Sequence, residues 1–371
     1  MVIKREERLL VRYGNLFLRK KVFSGWCVGI YNKGQVSFIA DGYCRTSNGT
    51  AVDKNSCFDL ASLTKPLVTS LSLLSLVKEG KIDLQQTVGD FYPDNSPTHS
   101  YILGINLLSL LEHSSGLPAH IHFVNSNSKQ GYKTRKKIIV QKILEEKPVY
   151  PPETKYIYSD LGYILLGDIV EKASGMNLDE YWNTNIVQPL QLEENLFFNT
   201  NQSVETEGYC STGRCSWSGR ELCGLVHDDN CRFMGGVAGH AGLFGSAEAL
   251  VSFCVQLLKI YRKSSSHPSL SLSFLEKRMQ DGVDRWALGF DTPAASNSSA
   301  GSRFSRHTVG HLGFTGTSFW IDLDEERIVV LLTNRVWGRK DIRYIQRFRP
   351  VVHDLIVKGA ATKRKEPRRQ Q

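Results

Sequence analysis

The stretch that most constrains this chain reads Cys57-Phe58-Asp59-Leu60-Ala61-Ser62-Leu63-Thr64-Lys65-Pro66, and it leads directly into a helix. Behind it, apolar side chains recur at helical spacing until Gly80. Pro66 must lie in the first turn, because a proline deeper inside would break the helix. Ser62 is therefore predicted at a helix N-terminus, where backbone donors favour developing negative charge. Lys65 lies one turn on along the same face, so its ammonium is expected to reach Ser62 and to help a weak nucleophile react.

The same spacing of serine and lysine occurs twice more, at Ser75 with Lys78 and at Ser126 with Lys129. Ser75 falls in the middle of the predicted helix, and Ser126 falls in a polar loop. Neither hydroxyl has a helix start aimed at it. Context therefore favours Ser62 alone as the nucleophile.

Composition and charge describe an ordinary soluble globular protein of 371 residues. No apolar run is long enough to span a bilayer, and residues 1–21 lack the uninterrupted apolar segment of a signal peptide, so a cytoplasmic location is expected. The net charge is +9, but residues 358–371 hold six Lys or Arg against one Glu. This stretch is predicted to be a disordered, solvated tail. No nucleic-acid partner is expected.

The cysteines are predicted to be reduced thiols. The chain has eight of them, lacks a secretion signal and is long enough to form its own core. Cys210, Cys215, Cys223 and Cys231 fall close together in sequence, with His227 among them. Zinc sites usually contain a tight C-x-x-C or C-x-x-H pair, and this segment has none. Neither a metal nor another cofactor is predicted.

The order of secondary-structure signals predicts an α+β fold with an antiparallel sheet flanked by helices. A helix at 5–20 is followed by a strand hairpin, with strands at 26–31 and 35–42 joined by Asn32-Lys33-Gly34. Two further strands are predicted near the C-terminus, the second of them buried and central because it is apolar throughout. The predicted strands lie at 318–322 and 327–333, and the remaining predicted helices at 105–113, 137–145, 161–173, 178–185 and 341–357.

These signals divide the chain into two predicted lobes and a tail. Residues 1–84 and 248–357 would form an α/β lobe, and residues 85–247 a mostly helical lobe inserted into it. Residues 358–371 would form the tail. A cleft between two such lobes is a natural place for an active site.

Two further motifs could complete a site around Ser62. Tyr158-Ser159-Asp160 precedes a predicted helix, and either Ser159 or Asp160 is a credible N-cap. Tyr158 could carry a proton, since ammonium neighbours would stabilise its phenolate and let it accept the Ser62 proton. The second motif, Gly310-His311-Leu312-Gly313-Phe314-Thr315-Gly316, precedes a predicted strand. A backbone N–H there, with that of Ser62, could bind an oxyanion. Taken alone, His311 is equally well a loop histidine with ordinary hydrogen bonds.

Taken together, the three motifs resemble the class C β-lactamase-related serine hydrolases, in their order and rough spacing. This family shares the penicillin-binding-protein fold and includes esterases, D-amino-acid peptidases and cell-wall amidases. The similarity extends from about residue 20 to 355 and includes the stretches at 76–84, 111–118 and 313–322. Val226-His227-Asp228-Asp229-Asn230 and Gly239-His240-Ala241-Gly242-Leu243-Phe244 are most similar to a branch linked to muropeptide amidases.

The resemblance implies roles for individual residues, the first three catalytic and the others positioning. Ser62 would be the acylated nucleophile, Lys65 would hold and deprotonate it, and Tyr158 would be a shared base. Asp160 would orient Lys65 and the substrate, in a place where many relatives have Asn. His311 would replace the usual Lys of the strand motif, so its positive charge would depend on pH. The oxyanion would be bound by the N–H groups of Ser62 and Phe314, with Gly313 allowing close approach.

One departure from the family pattern affects the choice of substrate. The middle residue of the strand motif is commonly Thr or Ser, whose hydroxyl binds a substrate carboxylate, but here it is Leu312. This disfavours β-lactams. The leading hypothesis is a hydrolase that cleaves an ester or amide through a Ser62 acyl-enzyme, with a small molecule or cell-wall-derived peptide as substrate. A promiscuous carboxylesterase, a β-lactamase and a catalytically silent binding protein on the same fold remain alternatives. The oligomeric state is left open.

Overall fold

The computed structural model describes residues 5–45, 49–93, 101–125, 128–193, 196–200, 208–273, 275, 286–338 and 341–362. The α-helices in these ranges are α1 (Arg5–Arg19), α2 (Leu71–Lys78), α3 (Leu107–Leu111), α4 (Tyr132–Leu144), α5 (Asp160–Ser174), α6 (Leu178–Trp182), α7 (Asp229–Phe233), α8 (Ala247–Tyr261) and α9 (Ile342–Thr362). The strands are β1 (Gly25–Asn32), β2 (Gln35–Gly42), β3 (Phe58–Asp59), β4 (Phe197–Phe198), β5 (Leu243–Gly245), β6 (Trp286–Ala287), β7 (Phe290–Asp291), β8 (Thr308–Leu312), β9 (Ser318–Asp322) and β10 (Arg327–Thr333).

The main sheet is antiparallel and takes its strands from both ends of the chain. Its order is β2-β1-β10-β9-β8-β7-β6, so the N-terminal hairpin joins the C-terminal strands through β1 and β10. Lys33 and Gly34 at the hairpin turn have φ values of +47° and +88°, which match a type I′ turn. The predicted α+β class, the antiparallel sheet and the N-terminal hairpin are confirmed.

Strand β10 lies in the interior of this sheet, as its apolar sequence predicts. All seven of its residues are buried. Val329 and Leu331 pack with the side chains of α1 and α9, whereas Ile328 and Val330 belong to the larger core on the opposite face. Side chains alternate between the faces of a strand, so a strand covered on both faces needs apolar residues at every position.

Several observed elements depart from the prediction. Helix α8 is absent from the predicted elements, because it is apolar around most of its circumference and gives no clear amphipathic stripe. A small second sheet, ordered β3-β5-β4, was also unpredicted; two of its strands have only two residues each. Such short strands carry no readable alternation.

The prediction of a disordered tail beginning at residue 358 is wrong at its start. Helix α9 continues to Thr362, since adding residues to an existing helix is much easier than nucleating one. Residues 363–371 lie outside the described residues. Helices α3–α7 lie in sequence between the two sets of strands, as predicted, while the lobe boundaries at 84, 247 and 357 stay predictions.

Within the described ranges, no helix combines the length and the apolar character that crossing a membrane requires. The feature that matters for chemistry is the meeting point of three segments. The turn after β3, the start of α5 and the end of β8 converge there, and these are the segments that carry the three sequence motifs.

Candidate active site

Ser62 lies in a tight turn between strand β3 and helix α2. Ala61–Leu63 form one 3-10 turn, and Lys65–Ser70 form a π-helical segment that continues into α2. Ala61 has a φ of +49°, a left-handed conformation that is costly for a residue with a Cβ. Its N–H donates to the Asp59 carboxylate at 2.8 Å, which helps to hold the turn. The predicted helix start is confirmed, although in 3-10 and π form.

Lys65 is completely buried and contacts three parts of the site. Its ammonium donates to Ser62 Oγ at 3.1 Å, to Asp160 Oδ1 at 2.7 Å and to the His240 carbonyl at 3.2 Å. Burial lowers the pKa of Lys65, but Asp160 and Tyr158 outweigh burial, so the pKa is raised. Lys65 therefore rests as an ammonium that holds the Ser62 hydroxyl, as its spacing predicts.

Asp160 is the first residue of α5 and supplies the counter-charge to Lys65. Ser159 is the N-cap of this helix, since its side chain accepts from the Gly162 N–H at 3.3 Å. Of the two candidate caps, the structure therefore selects Ser159. Burial raises the pKa of Asp160, but Lys65 and His120 outweigh burial and hold the pKa below its usual range. The carboxylate is consequently charged throughout the neutral range.

Tyr158 stands beside Lys65 and Ser62, in the loop before α5. The Lys65 ammonium is 4.6 Å from the centroid of the phenol ring. The ring also packs against His113, with centroids 4.6 Å apart, and the His113 Nδ1 accepts from the Ser159 N–H at 3.1 Å. The Tyr158 hydroxyl is buried and has no hydrogen-bond partner among the described residues. Lys65 and Ser62 both act on this hydroxyl, because each opposes the rise in the pKa of Tyr158 that burial causes.

The expected phenolate form of Tyr158 is not the resting form. Burial raises the pKa of Tyr158, Lys65 lowers it and Asp160 raises it again, and the net pKa lies above that of free tyrosine. By itself the Lys65 ammonium favours the phenolate, whereas desolvation and the Asp160 carboxylate oppose it. At rest, Tyr158 is a neutral phenol.

His311 lies on strand β8 rather than in a loop, and it is buried. Its ring packs against Tyr158 and Trp286 at centroid distances of 5.9 and 5.6 Å, and Nδ1 lies 2.8 Å from the Leu312 carbonyl. Burial, reinforced by Lys65, lowers the pKa of His311 to about 3. The positive charge of this position therefore depends on pH, as expected, but appears only in acid, and at neutral pH His311 supplies a neutral ring.

Gly313 and Phe314 follow β8 in a turn fastened to the segment before Ser62. Thr315 Oγ1 donates to the Asp59 carbonyl at 2.7 Å, and Thr317 Oγ1 to the Leu60 carbonyl at 3.2 Å. A Cβ at Gly313 would lie 2.8 Å from the Leu60 carbonyl oxygen, so only glycine permits this approach. Phe314 itself is 57% exposed.

Three further residues reach the site without a predicted role. His120 Nδ1 lies 3.0 Å from Asp160 Oδ2, and His240 Nε2 lies 2.8 Å from Asp228 Oδ1. Asp228 also caps α7, and its pKa is lowered because His240 outweighs the effect of burial. His240 and Asp228 belong to the stretches that carry the amidase-like resemblance, which was the one available signal for them. His120 gave no sequence signal.

His120, Asp160 and Asp228 offer ligand atoms within 4.8 Å of one another, and no other such group occurs in the described residues. However, Asp160 already pairs with Lys65, and Asp228 already contacts His240. These residues therefore fit internal pairing better than a metal ion. No cysteine belongs to the group, so the prediction that Cys210–Cys231 binds no zinc stays a prediction.

The two decoy serines differ from Ser62. Ser75 is buried inside α2, where its hydroxyl lies 2.9 Å from the Tyr181 hydroxyl and 3.3 Å from Glu79 Oε1. These contacts give it a structural role. Ser126 lies outside the described residues.

Comparison with known proteins places the chain in one family. The family described as Beta-lactamase matches residues 15–348. The chain is 30% identical over 319 residues to a protein of Salmonella agona (strain SL483) named "Putative D-alanyl-D-alanine carboxypeptidase", covering 80% of this chain and 73% of that protein. It is 31% identical over 304 residues to the N-acetylmuramyl-L-alanine amidase of Bacillus subtilis (strain 168), covering 75% and 68% of the two chains.

A solved structure shows the same fold. The class C β-lactamase from Rhodobacter sphaeroides superposes with a TM-score of 0.69 at 17% identity, covering 94% of this chain and 98% of that one. At this identity the likeness concerns the fold.

Proposed function

Because the chain belongs to the β-lactamase family of serine hydrolases, we propose that it cleaves an amide or ester of a cell-wall-derived peptide through a Ser62 acyl-enzyme. The observation that carries the proposal is the 3.1 Å contact between the buried Lys65 ammonium and Ser62 Oγ. Burying a lysine is energetically costly unless its charge is paired, and here Asp160 provides the opposite charge. Another hydrogen of the same ammonium points at the Ser62 hydroxyl.

The reactive form of the site holds one proton fewer than the resting form. At rest Lys65 is an ammonium and Tyr158 a phenol, so neither can accept a proton. Loss of one proton from this pair creates a base next to Ser62. Ser62 Oγ then bonds to the substrate carbonyl carbon, its proton passes to the pair, and the C=O π electrons move onto oxygen.

Collapse of this intermediate completes acylation. The oxygen electrons re-form C=O, the bond to the leaving group breaks, and the leaving amine or alcohol takes the proton held by Lys65 and Tyr158. Water then repeats the two steps on the acyl-enzyme and releases the acid together with free Ser62. The N–H groups of Ser62 and Phe314 are proposed to bind the oxyanion, supported by the hydrogen bonds that tie the turn after β8 to Asp59 and Leu60.

The substrate is proposed to lack a carboxylate at the position that faces β8. Leu312 offers no hydrogen bond there, and the low pKa of the buried His311 keeps that ring neutral. A carboxypeptidase substrate ends in a free carboxylate next to the scissile bond, whereas the amide between an N-acetylmuramyl group and L-alanine does not. The site therefore favours the activity that the Bacillus subtilis relative's name describes over that of the Salmonella relative.

A labelling and turnover experiment tests this proposal. Intact-mass spectrometry after treatment with a fluorophosphonate should show one adduct, absent from Ser62→Ala. N-acetylmuramyl-L-alanyl-D-isoglutamine should then be hydrolysed in preference to a peptide ending in D-Ala-D-Ala. Turnover of p-nitrophenyl esters with neither substrate cleaved would favour a promiscuous carboxylesterase. Absence of any adduct would favour a silent binding protein.

The cytoplasm is the proposed location. All eight cysteines are free thiols in the structure, and most are buried. This is the state expected in a reducing compartment. Alkylation of the denatured protein, isolated under acid quenching, should add eight alkyl groups; fewer would contradict the proposal.

A further inference from the structure

Arg349, on helix α9, is a buried cation behind the turn that follows β8. The residue is only 6% exposed. Nη2 donates to the Gly313 carbonyl at 2.7 Å and to the Thr317 carbonyl at 2.7 Å. Among the described residues, no carboxylate forms an ion pair with it. Burial, together with the neighbouring Arg335, lowers the pKa of Arg349 to about 9.

The Gly313 carbonyl and the Phe314 N–H belong to the same peptide group. A peptide group is planar, and none of the peptide bonds among the described residues is cis, so the carbonyl and the N–H point in opposite directions. A guanidinium that fixes the carbonyl oxygen therefore also fixes the direction of the N–H. Its charge polarises the group, which makes the N–H a stronger donor.

The next peptide is held in the same way. Arg335 donates from Nε to the Phe314 carbonyl at 3.0 Å, and its guanidinium carbon lies 4.7 Å from the centroid of the Phe314 ring. Two successive carbonyls of the turn are thus bound by guanidinium groups. A neutral side chain could close such a turn, so the buried guanidinium of Arg349, which forms no ion pair among the described residues, calls for another explanation.

We propose that Arg349 is a positioning residue that orients and polarises the Gly313–Phe314 peptide so that its N–H binds the oxyanion. This inference rests on the proposed function, in which that N–H and the N–H of Ser62 form the oxyanion site. As the C=O electrons move onto oxygen during attack by Ser62, negative charge grows next to the polarised N–H. Arg349 thereby stabilises the transition state more than the bound substrate, and its effect falls on kcat rather than on KM.

The test compares Arg349→Gln and Arg349→Lys with Arg347→Gln. Arg347 lies two residues earlier on α9 and is exposed, so its substitution removes the same charge from the surface. For a p-nitrophenyl ester, Arg349→Gln should lower kcat on the order of ten- to a hundredfold with KM nearly unchanged. Arg349→Lys should lose less, and Arg347→Gln should keep the wild-type value.

The affinity for a boronic acid distinguishes this role from a purely structural one. Bonded to Ser62, it forms a tetrahedral anion that needs the oxyanion site, whereas the carboxylic acid product does not. The affinity for phenylboronic acid should fall by the same factor as kcat in both Arg349 variants, while the affinity for the product stays constant. Circular dichroism and Tm would establish that the variants fold.

The outcomes separate this inference from the proposed function. If the wild-type protein neither labels with fluorophosphonate nor turns over esters, the proposed function is wrong. If it does both, wild-type kcat and boronate affinity in folded Arg349→Gln would overturn the inference alone. Should Arg349→Gln fail to fold, Arg349→Lys decides. Equal losses of kcat and boronate affinity support the proposal; wild-type values, or a loss confined to KM or Tm, overturn it.

Discussion

The Asp160 carboxylate lies 2.7 Å from the Lys65 ammonium, and the lysine is completely buried. The two residues are 95 positions apart in sequence, and the contact joins the start of α5 to the turn that carries Ser62. The contact keeps Lys65 protonated. The charge of Lys65 in turn influences whether Ser62 and Tyr158 keep their protons. The pH dependence of the reaction should therefore respond to Asp160 more than to any other neighbouring charge.

Asp160→Asn should move the alkaline rise of kcat/KM toward lower pH. The carboxylate raises the pKa of both Lys65 and Tyr158, so its loss lowers both and makes the base available at lower pH. An unpaired buried ammonium should also cost about 3–5 kcal/mol of stability while it stays protonated. A pH profile for a neutral ester measures the first effect, and urea unfolding the second.

The matched control is His120→Gln. His120 contacts the other oxygen of Asp160, its side chain is 46% exposed, and its replacement leaves the Lys65 pair intact. The profile of this variant should stay close to that of the wild type. An unshifted profile in Asp160→Asn would show that neither Lys65 nor Tyr158 supplies the base.

Ser62→Ala should lower the hydrolysis of a p-nitrophenyl ester by about a thousandfold or more, because covalent catalysis needs its nucleophile. Ser75→Ala should keep kcat while losing about 1 kcal/mol of stability, since it gives up its contact with the Tyr181 hydroxyl. Initial rates and urea unfolding of both proteins check this. Comparable activity in a folded Ser62→Ala protein would remove Ser62 from the mechanism.

Leu312→Thr should raise acylation by benzylpenicillin relative to a neutral ester. The wild type should hydrolyse penicillins and cephalosporins slowly or not detectably, because a missing hydrogen bond to a charged group costs about 1.5–3 kcal/mol, or roughly ten- to a hundredfold. Leu312 is the last residue of β8, next to the neutral His311, so neither side chain attracts a carboxylate. Stopped-flow acylation measures the ratio. Efficient penicillin hydrolysis by the wild type would mean that another group binds the carboxylate.

The protein should lose stability on acidification from pH 7 to pH 5, and His353 should account for a measurable share. His353 is buried between Ser318 and Ser299, and burial lowers its pKa to about 3. In the unfolded chain the histidine pKa is about 6.5, so as the pH falls the unfolded state binds the proton before the folded state does. The free energy of unfolding therefore decreases by about 2 kcal/mol between pH 7 and pH 5. His311 acts in the same direction, because its pKa is also lowered to about 3.

Asp59 is a group that opposes this trend. Burial raises the pKa of Asp59 to about 6, so the folded state binds its proton first, and this stabilises the protein as the pH falls from 7 to 5. Comparing the wild type with His353→Asn measures the contribution of this histidine. In urea unfolding, the free energy of unfolding should change between pH 7 and pH 5 by about 2 kcal/mol less in the variant than in the wild type. Equal pH dependence in the two proteins would rule out the titration of His353 as a cause.

The sequence by itself determined what one segment or one turn decides. Lys65 contacts Ser62 because residues three apart lie on the same face of a helix. The turn at Lys33 and Gly34 follows from the sequence of the hairpin. For each of these, backbone geometry over a few residues sets the distance, so the amino-acid pattern is enough to predict the contact.

Only the tertiary structure decided the charges of the site and the groups that support it. The neutral forms of Tyr158 and His311 depend on how much water the fold removes around them, and the sequence does not show this. The approach of Asp228 to His240, and that of Arg349 to the Gly313 carbonyl, require the packing of separate elements. Desolvation and long-range contacts are sums over the whole packed chain, and for that reason they are fixed only when the chain has folded.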